Sequence, residues 1–247
     1  LGLSCPVESC MSLADHRRTL APHGFLRVAI NLGNPVLAQG DARSPRGPSL
    51  ELATALAQRM GVQARFTCHD AAASVVAAAG EDGWDLAFLA IDPARADRIA
   101  FSAPYVEIEG TYLVREDSPA QQVADLDRDG LRIAVGRGAA YDLFLSRELR
   151  HATIERAALG TAIALFDQHR LDAAAGVRQP LAAWAKAHPG HRVLADRFTA
   201  IQQAVAAPAS RPANALRALF EEVEAIKAGS LLEEACARAG QAVTLVQ

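Results

Sequence analysis

Arg95 is the residue of this 247-residue chain whose setting most plainly calls for an anion. It lies in WDLAFLAIDPARADRIAFSAPY, residues 84–105, where the apolar run 85–91 has strand length, Asp92 suits an N-cap and Pro93 a first helical position. The spacing predicts a strand running into a helix, with Arg95 in the first helical turn. The positive end of a helix macrodipole disfavours a cation, so a guanidinium is stable there when an anion shares the place with it and the free backbone N–H groups. The chemistry implied is recognition of a carboxylate or phosphate. The competing reading pairs Arg95 with Asp92 or Asp97 at the surface, an interaction worth at most about 1 kcal/mol.

RIAVGRGAAYDLFL holds a second place of the same kind. A strand over 131–135 meets Gly136 and Gly138, and a helix opens near Ala139, so the N–H groups of Ala139, Ala140 and Tyr141 are aimed at whatever sits above the strand end. If both helix starts face one cleft, a single small anion can be held by both. Gly136 and Gly138 also fit a plain tight turn, and a dinucleotide loop with Glu155 as ribose acid is opposed by Tyr141 standing where a third glycine belongs. Catalytic groupings are sparse: Ser102 lies in FSAP and not in G-x-S-x-G, the seven histidines are scattered, and His69-Asp70 reads as an isolated polar pair. Glu107 and Glu109 alternate along a strand with no acid–base partner and are expected to face solvent.

These residues are positioned by a chain that alternates strand and helix. Strands are expected at 26–30, 62–67, 85–91, 111–115, 131–135, 153–157, 171–175 and 201–207, and helices at 49–60, 72–79, 140–149, 162–169, 180–187, 213–227 and 231–239, with Gly61 and Gly80 as stops. The pattern breaks at 116–120 and restarts, giving two similarly built halves. A net charge of −3 and a pI near 6.2, with acids and arginines interspersed, exclude a polyanion-binding face, so nucleic acid is not an expected partner. No run approaches the ~20 apolar residues of a membrane span. The four cysteines have no metal-ligand spacing, so neither metal nor cofactor is expected, and Cys5 and Cys10 fit either a small-loop disulfide or two free thiols. LGLSCPVESC lacks the basic end and apolar stretch of a secretory signal; a removed signal, a protein without one and a start at Met11 are all compatible with it.

From about residue 26 to 240 the chain resembles the bacterial extracellular solute-binding proteins of the polar-amino-acid type, the receptors that feed ABC importers. The resemblance is carried by LRVAI, GPSLELATALAQRMGV, WDLAFLAIDPARADRIAFSAPY, VADLDRDGLRIAVGRGAAYD and LDAAAGV, in that order. It implies an α/β two-lobe periplasmic-binding-protein-like fold of type II, each lobe a mixed sheet flanked by helices, with two hinge crossings. Lobe one would comprise 24–112 and 206–247, lobe two 115–203, with 1–23 as an N-terminal arm. A ligand touching both lobes would close the hinge. By resemblance Arg95 clamps the ligand carboxylate, with Ala90 and Asp92 beside it and Gly138, Ala139, Ala140 and Tyr141 completing the clamp.

Departures from the family pattern bear on the ligand. Val177 stands where the family has the aspartate that binds an α-ammonium, and Arg178 follows it. Asn34 replaces a stacking aromatic, Asn31 a nearby aspartate, and Ala139 and Ala140 two hydroxyl residues. A buried ammonium without a carboxylate costs several kcal/mol, so an α-amino acid fits poorly unless Glu107, Glu109 or Asp142 substitutes. The expected ligand is a small carboxylate without an α-ammonium, or a neutral polar acid derivative, held by Arg95 with Asn31, Asn34, Arg178 and Gln202. Cyclohexadienyl dehydratases share the fold but need an acid where this chain is matched to Gln202, so an enzyme is not expected. A sensor without a transporter is the other alternative. The resemblance further implies a monomer, an ABC permease as partner and a periplasmic or extracellular location, with the cytoplasm as the alternative because no signal is visible.

Overall fold

The computed structural model describes residues 12–79, 81–158 and 161–246, so the Cys5/Cys10 question and the Gly80 stop lie outside the described residues. A short 3-10 turn, Leu13–His16, leads into α1 (Arg17–Leu20), and Leu13 and Leu20 of the expected arm are buried in the first core. The first half continues with β1 (Phe25–Asn31), α2 (Pro48–Met60), β2 (Gln63–His69), α3 (Ala72–Ala79), β3 (Leu86–Ala90), β4 (Ile99–Phe101) and β5 (Val106–Arg115). The second half has β6 (Arg132–Gly136), α4 (Ala140–Glu148), β7 (Thr153–Ala157), α5 (Ala162–Gln168), β8 (Ala173–Val177), α6 (Arg178–Ala187) and β9 (His191–Val193). β10 (Thr199–Pro208) then returns, followed by α7 (Ala213–Lys227), α8 (Leu231–Arg238) and β11 (Thr244–Leu245).

Local chemistry explains the best-defined of these elements. α2 starts with Pro48 at its first position, buries Leu52, Leu56 and Met60, and ends at Gly61 in the left-handed conformation (φ 73°). The strands join one mixed sheet of order β2-β1-β3-β10-β5-β8-β6-β7. β1 lies parallel between β2 and β3, β6 lies parallel between β7 and β8, and the antiparallel pair β10·β5 connects the two sets. β5 and β10 have ten residues each and run through both halves. At Gly110 the chain passes from one half to the other: it pairs with Thr199 of β10 and with Val177 of β8. A Cβ there would lie 2.7 Å from Phe198 Cε2 and 2.9 Å from Thr199 Cγ2, so the crossing is closed to any side chain.

Each half has its own core. Helices α2, α7 and α8 cover one face of the first set of strands around Leu26, Ile30, Leu56, Tyr105 and Val205. Trp84, Val75, Leu89 and Ile99 fill the other face, where Trp84 Nε1 donates to Val75 O at 2.8 Å. In the second half Tyr112, Ile133, Val135 and Leu145 form one layer and Phe166, Leu171 and Leu181 the opposite one. Asp85, whose side chain is wholly buried, ties the first half together by accepting from Arg27 Nη2 (2.7 Å), Arg27 Nε (3.0 Å) and Arg211 Nη2 (2.8 Å).

Three expectations shift. The strand expected at 171–175 is β8, two residues later, because Leu171 fills the core ahead of it and Asp172 accepts from Arg132 N at 2.7 Å. The strand expected at 111–115 begins at Val106 and is continuous with the one expected to carry Glu107 and Glu109. The helix expected to carry Arg95 is a single 3-10 turn, Pro93–Arg95, because the chain must turn back within a few residues to lay β4 against β10.

Candidate ligand-binding site

With only one turn after β3 there is no macrodipole worth the name at Arg95, and something else must hold the guanidinium. Asp92 caps the turn by accepting from Ala94 N at 2.9 Å. Arg95 Nη1 donates to Ala90 O at 2.8 Å, and Nη2 reaches the second half to Gly138 O at 3.3 Å. The residue is 3% exposed. Burial lowers its pKa from the ordinary value, and the charge of Asp92 opposes that shift. Surface pairing fails as an account: Asp92 is engaged by Arg147 through a two-pronged pair at 3.0 and 3.3 Å, and Asp97 lies 3.9 Å from Arg98. Among the described residues no carboxylate lies within 4.0 Å of the Arg95 guanidinium. Of its five N–H donors, two are spent on carbonyls.

Arg95 forms part of the wall of a cavity of about 470 Å³ between the two halves, a size suited to a small ligand. Of the residues singled out in the sequence, Asn31, Asn34, Ala90, Arg95, Ala139, Ala140, Tyr141 and Val177 are brought together in this wall. Two others are adjacent in supporting positions: Asp92 caps the turn and Gly138 supplies the carbonyl that orients Arg95. The second helix start is less open than its sequence implies. Ala139 N–H donates to Gly136 O at 3.1 Å and Gly138 N–H to Asp142 at 2.8 Å, while the N–H groups of Ala140 and Tyr141, the first two helical residues of α4, have no partner among the described residues. Gly138 needs its glycine: φ is +71°, and a Cβ would meet Ala73 Cβ of α3 at 2.9 Å, so the two walls of the cavity touch here. Burial raises the pKa of the Tyr141 phenol, which packs against Gly136.

Two expected residues are elsewhere. Arg178 pairs with Glu109 and donates to the carbonyls of Leu194 (2.9 Å), Asp196 (2.9 Å) and Ala195 (3.1 Å), so it fastens β5 to the chain entering β10. Gln202 is exposed and donates to Glu107 at 3.1 Å. Its neighbour Gln203 takes the wall position: it is 5% exposed, pairs in register with Ala90, and shares its strand face with Ile201, which lies opposite Ile108. Alternation in the strand explains the exchange, since a shift of one residue moves a side chain to the other face. The wall also contains residues not foreseen as site residues, notably Asp70, Leu32, Gly33, Ile108, Ile163, Ile201 and Gln203. The period-two pattern of IQQAVAA carries the signal for Ile201 and Gln203, and Asp70 is exposed, as a surface reading of His69-Asp70 expects, while also lining the wall.

Solved structures share this architecture. A mutant of ArgBP from T. maritima superposes with a TM-score of 0.74 at 19% identity, covering 92% of this chain and 98% of that one. A solute receptor for L-cysteine of Neisseria gonorrhoeae gives a TM-score of 0.74 at 22% identity over 93% of each chain. An ancestral amino-acid-binding protein described as a precursor of cyclohexadienyl dehydratase gives 0.74 at 22% identity, over 92% of this chain and 99% of its own. No curated protein matches the chain. These likenesses establish the two-lobe fold, and the sequence itself goes further, because residues 26–234 match the family model from the first strand to the last helix. The chain belongs to the bacterial extracellular solute-binding proteins, family 3.

Proposed function

We propose that this solute-binding protein is the receptor of an ABC-type importer and that it holds a small carboxylate-bearing ligand without an α-ammonium in the cavity between its halves. The observation that carries the ligand class is Arg95, a buried cation in the cavity wall with no carboxylate within 4.0 Å among the described residues. Arg95, the N–H groups of Ala140 and Tyr141, and the Gln203 amide are the polar groups of the wall that we assign to the carboxylate, and Asn31 and Asn34 are in the same wall. The amino acids named for neighbouring structures suggest a ligand of that size. An α-ammonium is disfavoured because Val177 presents an apolar wall where the family's aspartate is expected, and each substitute is engaged: Glu107 by Gln202, Glu109 by Arg178 and Arg197, Asp142 by Gly138 N and Arg156. We assign lobe one to about residues 12–110 and 201–246 and lobe two to about 111–199, a few residues from the expected bounds, because Leu13, Leu20 and Ile201 fill the first core, Tyr112 the second, and β5 and β10 cross at Gly110 and Thr199. The permease partner, the extracytoplasmic location and the monomeric state come from the family.

The test is thermal-shift screening of carboxylates on protein stripped of ligand by unfolding and refolding, followed by calorimetry. A true ligand at ~100 times its dissociation constant raises stability by about 2.7 kcal/mol. Arg95→Ala is expected to weaken binding by about 2–5 kcal/mol, the usual cost of removing one partner of a buried charge pair. Tight binding of arginine or lysine that survives Arg95→Ala overturns the reading. Prephenate is expected to be left unconverted, because the residue matched to the required acid is a glutamine, Gln202, which is bonded to Glu107 and forms no part of the cavity wall.

A further inference from the structure

The carboxylate clamp leaves one charged group of the cavity unexplained. Asp70 is an exposed residue in the same wall as Arg95, and among the described residues its carboxylate takes part in no ion pair and accepts no hydrogen bond, so it is free to take a ligand cation. It is also the one carboxylate of that wall among the described residues.

The sheet fixes where Asp70 stands relative to the clamp. Asp70 is the first residue beyond β2, and Arg95 is tied by Nη1 to the carbonyl of Ala90, the last residue of β3. β1 runs between these strands, parallel to both, with Asn31 opposite His69 and Ala29 opposite Ala87. Continuing both registers brings Asp70 and Ala90 level with Leu32, one on each side of it. Two interstrand spacings therefore separate them, about 10 Å. Between them the wall is Leu32 and Gly33, which have no charge, and Asn34, whose Oδ1 has no hydrogen-bond partner. On the far side of Arg95 the wall is Ile108, Ile201 and Val177. Among the described residues no unengaged carboxylate of the wall lies next to the Arg95 site, and one, Asp70, lies some distance along.

Resting on the carboxylate reading of the Arg95 site, the geometry points to a ligand whose positive charge lies at the far end from its carboxylate: an ω-amino acid with a short aliphatic spacer, its carboxylate on Arg95 and its ammonium on Asp70. The pattern accounts together for the apolar Val177, the unpaired Arg95 and the unpaired Asp70. An α-amino acid would place its ammonium against Val177, and a plain fatty acid would make no use of Asp70.

The experiment is calorimetry on stripped protein with γ-aminobutyrate, δ-aminovalerate and ε-aminocaproate, each against its deaminated counterpart (butyrate, valerate, caproate), and with norvaline as the α-amino control. At least one ω-amino acid is expected to bind tenfold or more tighter than its deaminated counterpart and than norvaline. Asp70→Asn should remove that gain, with plain carboxylates bound no more weakly than before because a like charge is gone, and Arg95→Ala should weaken both series. If the plain carboxylates bind and the ω-amino acids gain nothing, or if the gain survives Asp70→Asn, this inference falls and the carboxylate site stands. If neither series binds, the carboxylate site falls and this inference falls with it.

Discussion

Gln202 and Gln203 are chemically identical and adjacent, yet only one can serve the cavity. Gln203 is 5% exposed in the wall beside Ala90, whereas Gln202 lies on the outer face of β10, bonded to Glu107. Gln203→Leu is therefore expected to weaken ligand binding by roughly 1–3 kcal/mol, the cost of leaving a polar ligand group unpaired, and Gln202→Leu to leave affinity unchanged; calorimetry on the two variants checks it. Equal effects would show that the strand phase is misassigned. The chemistry of Arg95 was legible because Asp-Pro-x-Arg after an apolar run fixes a capped turn whatever its length. What the sequence could not show is that the guanidinium is held by two carbonyls, one of them 43 positions away at Gly138. Arg178 misled for the converse reason: a cation beside Val177 reads as a ligand contact until Glu109 and three carbonyls are seen to occupy it.

Strands and helices were easiest to read where local signals agree with burial, as in α2 with Pro48 at its start and Gly61 at its end. They were hardest where tertiary pairing decides. β8 is three alanines and a glycine, poor strand formers, with a single valine, and is a strand because β5 and β6 hydrogen-bond to it on both sides. The short strands β4, β9 and β11 have two or three residues each and exist only as partners of the long strands. Gly110 shows how tightly the long strands are specified. Phe198 lies over it and also packs on Tyr112 and Phe144, with ring centroids 4.7 and 5.9 Å apart, so a methyl group at 110 displaces a whole aromatic cluster. Gly110→Ala is expected to cost about 1–3 kcal/mol through overpacking, lowering the melting temperature by about 2–4 °C per kcal/mol. A double-mutant cycle with Phe198→Leu should recover part of the loss, since the smaller side chain yields room. Additive losses in that cycle would place the strain elsewhere.

The two halves meet at the cavity through a small number of directed contacts, and their strength decides how much of the binding energy a ligand must spend on closure. Arg147 of α4 reaches Asp92 across the cleft, Arg95 reaches Gly138 O, and Gly138 touches Ala73 of α3. Arg95 belongs to the ligand site, so its removal cannot separate closure from recognition. Arg147 lines no part of the cavity, and its contact with the first half is through Asp92, which is 4% exposed and caps the turn of Arg95, so removing Arg147 acts mainly on the meeting of the halves. With the arginine side chain 44% exposed, water screens much of the attraction, and about 1 kcal/mol is its reasonable worth. A shift of that size changes the ratio of closed to open molecules about fivefold, and ligand affinity falls with the fraction able to bind. Arg147→Ala should accordingly weaken every ligand by about the same factor, with the order of preference among ligands unchanged, and enlarge the radius of gyration of the empty protein measured by X-ray scattering. Added salt should reproduce both changes in the unaltered protein, because it screens the same pair. A variant that alters the order of preference would instead mean that Arg147 reaches the ligand, and one that alters neither affinity nor dimensions would leave closure to the ligand itself.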